Sequence, residues 1–244
     1  MTKTSRVSAI GVLLIAVLCL SLPVSAQQRP PIAEKIAKAY GLDSFGQIDA
    51  IRYTFTIDAG PKFKLTRSWV WEPKTNQISY EAKDKTGNPV KVTYSQSELA
   101  SQSDLVKKEV DPGFYNDQYW LLFPFHLVWD SSPTVEDAGK QKLPLRKGSA
   151  EKVSVKYPSG GGYTPGDTWE VFVGPDDRIK ELAFRHGGDV KPAVVIATWA
   201  DYKKAGPLLV SLDHRGTVDG KPFRLFFTNV AVKLAGSSTW IDAK

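Results

Sequence analysis

The chain has 244 residues, with 32 basic and 26 acidic side chains, a net charge of +6 at pH 7, one cysteine and one methionine. That length suits a single domain with one sizeable core. No run of five or six like charges occurs, which excludes the usual footprint of a nucleic-acid binder, and a lone cysteine excludes an internal disulfide framework.

The first 26 residues read as a cleaved signal peptide. Lys3 and Arg6 give a positive start, residues 9–20 (AIGVLLIAVLCL) form an apolar core, and Val24-Ser25-Ala26 supplies small residues at the −3 and −1 positions, so cleavage falls before Gln27. The apolar run is shorter than the ~20 residues a spanning helix needs, so no membrane span is expected after cleavage. Cys19 follows Leu18 rather than the small residue that precedes a lipid-modified cysteine, so it leaves with the signal. Residues 27–244 then form one periplasmic or secreted domain with 30 basic against 26 acidic residues, a net charge of +4, and no thiol. Seven Trp, nine Tyr and 11 Phe must supply its core.

Pro30-Pro31 leads into a short helix over 32–40, with Ile32, Ala33, Ile36, Ala37 and Tyr40 on one face and Gly41 as its stop. From residue 51 the period becomes two: Ile51, Tyr53, Phe55 and Ile57 alternate with polar residues. After Gly60-Pro61 the next strand puts Phe63, Leu65, Arg67, Trp69 and Trp71 on one face. Shorter strands follow at 77–83 and 90–95. Residues 97–109 read as a weakly amphipathic helix. Asn116 or Asp117 offers an N-cap to a short apolar helix over 118–123 that Pro124 ends. Residues 119–129 (YWLLFPFHLVW) are apolar except for His126, and residues 131–150 read as a long polar loop. Strands return at 152–157, 168–173, 178–186, 193–203, 208–214 and 223–233, with turns at Gly174-Pro175-Asp176-Asp177 and Asp219-Gly220. About ten antiparallel strands with a helical insertion imply a large curved sheet: mainly β (α+β), an incomplete barrel with a helical lid or plug.

No catalytic signature accompanies this pattern. The nucleophile elbow, the zinc-protease helix and the phosphate-binding loop are all missing, and the glycines at 160–162 precede neither a lysine nor a helix. The spacing of His126, His186 and His214, with Asp130 or Asp213, assembles no metal site, so no metal or cofactor is expected. Arg67 falls on the same face as Trp69 and Trp71 and so points inward. It either stacks on tryptophan with its tip in water or acts as an inward donor that holds a lid element or a ligand headgroup. The 119–129 segment covers the open face of the sheet, as a fixed helix or as a movable lid.

The pattern resembles the Lol-type lipoprotein-carrier superfamily and its uncharacterised exported relatives. The resemblance rests on the helix at 32–40 running into Ile51-Arg52-Tyr53-Thr54-Phe55-Thr56, on the strand ending Trp69-Val70-Trp71-Glu72-Pro73-Lys74, and on the hairpin around Gly174-Pro175-Asp176-Asp177. The segment from Trp199 to Leu208, followed by the strand Phe227-Thr228-Asn229-Val230-Ala231-Val232, extends it over most of the mature chain. The carriers place an arginine shortly after the corresponding tryptophan; here Glu72-Pro73-Lys74 follows Trp71. The resemblance implies an N-terminal helix, an incomplete antiparallel barrel and helices inside or over its mouth. The expected function is non-catalytic binding of an apolar or lipid-like ligand on the concave face, with Arg67, Trp69, Trp71, Trp120 and Phe123 as ligand contacts. The alternatives are a structural or interaction domain with a filled core and an envelope protein as partner, and a hydrolase using His126 or His214.

Overall fold

Alternating side chains become strands wherever one face can be buried, and here they join into one antiparallel sheet. The computed structural model describes residues 29–61, 63–187 and 194–244, so the expected signal peptide lies outside the described residues. In chain order the strands are β1 (Ile48–Asp58), β2 (Lys64–Glu72), β3 (Gln77–Lys83), β4 (Pro89–Ser95), β5 (Thr134–Lys142), β6 (Ser149–Lys156) and β7 (Thr168–Val173). They continue as β8 (Ile179–Arg185), β9 (Val194–Thr198), β10 (Ala200–Ala205), β11 (Leu208–Val218), β12 (Lys221–Leu234) and β13 (Trp240–Asp242). The order across the sheet is β4-β3-β2-β1-β12-β11-β9-β8-β7-β6-β5, with β10 on β11 and β13 on β12. The pairing of β1 with β12, Phe55 opposite Phe227, places the two ends of the chain side by side in the middle of the sheet. Among the described residues β4 and β5 each pair on one side only, so the sheet is not closed into a barrel.

Helix α1 (Pro31–Ala39) starts with proline in its first turn, where the missing N–H costs nothing, and buries Ala33, Ile36 and Ala37. Gly41 ends it at φ 104°, and a Cβ there would stand 2.6 Å from the Pro207 carbonyl oxygen, so only glycine fits.

Helix α2 (Asp111–Trp129) corrects two expectations. It is one 19-residue helix, not a short one over 118–123, and Pro124 lies inside it. A mid-helix proline costs ~3 kcal/mol through its missing N–H and its clash with the preceding turn. Every residue from Gln118 to Leu127 is buried, and each large apolar side chain there contributes ~1.5–3 kcal/mol, which outweighs that cost. The expected helix over 97–109 is instead a 3₁₀ turn, Gln96–Ser101, and a π-helical turn, Val106–Val110, that runs directly into α2. Among the described residues no helix is long and apolar enough to cross a membrane.

The expected loop over 131–150 is also corrected, because most of it is β5 and the turn into β6. As an edge strand β5 buries only Val135 and bulges between Asp137 and Lys140, so polar residues occupy both faces and leave no alternation to read. The expected strand over 193–203 divides at Trp199 into β9 and β10.

The concave face and α2 form one core. Phe114 meets Trp69 and Trp71 edge-on at 5.5 and 5.9 Å, Phe123 stacks on Trp169 at 4.4 Å, and Trp120 meets Trp169 at 5.1 Å. On β2 the expected face holds for Trp69 and Trp71, which are buried; Phe63 precedes the strand and is 53% exposed. Trp71→Ala is expected to cost ~3–5 kcal/mol, read as a lower urea midpoint at unchanged slope. An unaltered midpoint contradicts this register, since a slip of one residue would turn Trp71 outward.

Candidate ligand site and the helix beside it

Alternation along β2 aims Arg67 at α2, and its partner there is the carboxylate of Asp117. Arg67 Nε donates to Asp117 Oδ2 at 2.7 Å and Nη2 donates to Oδ1 at 2.5 Å, a two-pronged pair. Trp69 Nε1 donates to the same Oδ2 at 2.8 Å and Asn116 Nδ2 to Oδ1 at 3.0 Å. Asp117 is fully buried while Arg67 keeps 16% of its side chain exposed. Burial pushes the Asp117 carboxyl up to about 6 against the pull of Arg67, so at neutral pH it is ionised. Gly113 makes room for this pair, because a Cβ there would stand 2.8 Å from Arg67 Nη1.

Two further aspartates tie the ends of α2. Asp111 accepts the Tyr94 hydroxyl of β4 at 2.8 Å and the hydroxyl of Tyr163, in the β6–β7 loop, at 2.5 Å. Tyr163 also stacks on Tyr115 of α2 at 3.6 Å. Asp130, just past the helix, accepts the hydroxyls of Tyr119 and Tyr157 at 2.6 Å each. Burial alone would raise the Asp130 carboxyl, but its bonds to His126, Tyr119 and Tyr157 outweigh that and hold it below the usual range. Burial and the Asp130 charge push both phenols up, so they stay protonated as donors.

His126 and His214, the two histidines of the hydrolase alternative, are both buried. His126 Nδ1 faces Asp130 Oδ1 at 3.0 Å and its Nε2 faces Gln118 Oε1 at 3.1 Å. His214 is fully buried, and its Nδ1 donates to the Thr198 carbonyl at 3.2 Å. Among the described residues neither is bonded to a hydroxyl. Among the described residues no group of three or more His, Cys, Asp or Glu could hold a metal ion.

An open cleft of about 490 Å³ lies where α2 leaves the concave face uncovered. Trp120 of α2 borders it, with Ile57, Phe184, Val195 and Leu225 from the sheet and Phe63 at its lip. Asn116, Asp219 and Lys221 supply its polar groups. Of the five expected ligand contacts, Trp120 lines this cleft. Trp69, Trp71 and Phe123 are buried in the core around α2, and Arg67 is held by Asp117 of that helix.

The sequence offers Asn116 or Asp117 as a cap and does not single out Asp117 as the partner of Arg67. The signal was charge balance: an inward arginine needs a carboxylate, and Asp117 and Asp130 are the acids that flank the apolar stretch. Phe184, Val195 and Leu225 carried no signal beyond ordinary core alternation.

No protein-family model matches the sequence, and no curated protein matches it. Among solved structures the chain is similar to a DUF1329 family protein from Desulfovibrio piger at 10% identity, with 85% of this chain and 94% of that chain covered and a TM-score of 0.44. It is similar to a LolA superfamily protein from Nitrosomonas europaea at 9% identity, 88% and 95% coverage and a TM-score of 0.45. It is also similar to the lipoprotein LppX of Mycobacterium tuberculosis at 9% identity, 83% and 96% coverage and a TM-score of 0.30.

Asp117→Leu leaves the Arg67 charge without its partner and is expected to cost ~3–5 kcal/mol. The double variant Arg67→Leu/Asp117→Leu should recover much of that loss in urea unfolding. Strictly additive losses would show that the two side chains do not act as a pair.

Stability should also depend on pH through His214. Burial pushes its imidazole down from 6.5 to about 4, although the Thr198 carbonyl opposes the shift. Below pH 6.5 the unfolded chain therefore takes up a proton that the folded chain refuses, and stability falls by roughly 3 kcal/mol by pH 4. Urea midpoints across this window should fall less steeply in His214→Phe than in the parent; parallel curves would contradict the assignment.

Proposed function

We propose that the protein is an exported, non-catalytic binding protein that holds an apolar or lipid-like ligand in the cleft beside Trp120. The observation that carries this reading is the cleft itself: about 490 Å³, open, and walled by aliphatic and aromatic side chains with three polar groups. Such volume and lining are those of a small-molecule site. Phe63 adds to it, since a phenylalanine left 53% exposed at the lip of a cleft is surface a ligand could cover. Export rests on the charged start, apolar core and small-residue site of residues 1–26.

The ligand in this reading lies beside α2, not beneath it. Arg67, Trp69, Trp71 and Phe123 then serve binding by fixing the helix that carries Trp120. The rival reading, an envelope interaction domain with a filled core, is favoured by the extent to which α2 fills the concave face.

Titration with the neutral apolar dye N-phenyl-1-naphthylamine separates the two. Saturable binding is expected in the parent, weakened about tenfold by Phe63→Asp. Because Phe63 is exposed, the thermal midpoint of that variant should stay within a few degrees of the parent. Absence of saturable binding, or equal binding by the variant, removes the cleft as the site.

A further inference from the structure

Two buried rings that carry polar atoms, His214 and Trp199, neighbour side chains that line the cleft without lining it themselves. His214 stands opposite Leu225 in the β11–β12 register, and Leu225 lines the cleft. Between His214 and the cleft-lining Val218, the next residue of β11 on that face is Gly216, packed closely against the β9 backbone at Ile196 and Ala197. Trp120 is the group in between: its ring lies 5.9 Å from that of His214 and 6.5 Å from that of Trp199. The His214 and Trp199 rings are themselves 4.2 Å apart. His214 is 0% and Trp199 2% exposed, yet among the described residues His214 Nε2 and Trp199 Nε1 have no hydrogen-bond partner, as is also the case for Arg52 Nε, the Tyr53 hydroxyl and Trp169 Nε1. Buried polar atoms are nearly always paired, so two neighbouring exceptions behind a cleft point to a missing partner.

The chemistry of that partner follows from the atoms. The His214 Nδ1–H is used by the Thr198 carbonyl, so Nε2 presents a lone pair and needs a donor. The indole N–H of Trp199 needs an acceptor. A hydroxyl does both with one oxygen. A carboxylate has no proton to give His214, and a hydrocarbon serves neither atom.

We propose that the cleft continues behind Trp120 to a hydroxyl-binding end formed by His214 Nε2 and Trp199 Nε1, and that the ligand is an uncharged apolar alcohol bound with its hydroxyl inward. The Trp120 side chain swings aside to admit it. This rests on the cleft being the ligand site, and the water molecule is the other source of the same hydroxyl chemistry.

The test is competition of decane, 1-decanol and decanoate against bound N-phenyl-1-naphthylamine at pH 8, with the indole N–H signals followed by NMR. Decanol should compete about tenfold better than decane or decanoate, the worth of a buried hydrogen-bonded group, and should shift the Trp199 indole signal. His214→Phe and Trp199→Phe, which keep an aromatic ring in place, should each erase the preference while dye binding persists. Equal competition by decane and decanol overturns the hydroxyl end but leaves the cleft reading standing. A dye that fails to bind at all overturns both. A resident water bridging His214 and Trp199 that decanol does not displace also overturns the proposal.

Discussion

A charge can sit in a dry core only when donors surround it, and the Asp117 carboxylate meets that condition with bonds from Arg67, Trp69 and Asn116. The rest of the interior is arranged around the helix that carries it. α2 is apolar on nearly every side, so hydrophobic burial alone would hold it in many rotations about its axis. Polar contacts remove that freedom because each has a direction. At 3.6 residues per turn Asp111 and Asp117 point about 120° apart, and they meet donors from β4 and the β6–β7 loop in one case and from β2 in the other. Asp130 fixes the far end through Tyr157, which follows β6. Strands near both edges of the sheet thereby grip the same helix. The sheet curves round it without closing on itself.

This arrangement explains how an open sheet avoids the usual hazard of its edges. An unpaired edge can recruit another strand. β4 begins with Pro89, which has no N–H to offer, and presents Lys91 beside Glu81; β5 is bulged and polar on both faces. The same charges that blunt β5 also hide it from a reading based on alternation.

Strand faces and positions were legible wherever one side of the strand is buried: β1, β2, β7 and β12 follow the period-two pattern, and the inward aim of Arg67 came from it. Legibility failed where local rules lost to tertiary burial. Pro124 signals a helix end, but burial from Gln118 to Leu127 carries the helix past it. Asp117 looks like a cap because caps are local and its true partner lies 50 residues away in sequence. The cleft was not legible at all. Most of its lining comes from β1, α2, β8, β9, β11 and β12, and Ile57, Phe184, Val195 and Leu225 taken singly are ordinary members of alternating strands.

The helix also determines where a ligand can go. A site beneath α2 would require Phe114, Phe123 and Trp120 to leave the sheet together, and would strand the Asp117 charge apart from Arg67 at a cost of several kcal/mol. A site in the open cleft beside it leaves those contacts in place, and its proposed extension needs the movement of one indole. Trp120 is the member of the aromatic core that borders both the cleft and the unpaired His214–Trp199 group. Fixing the helix by its aspartates while leaving that ring at its margin separates the two demands on the interior. The anchored part supplies stability, and in the proposed reading the uncovered part beside Trp120 takes up a ligand without unpacking the rest.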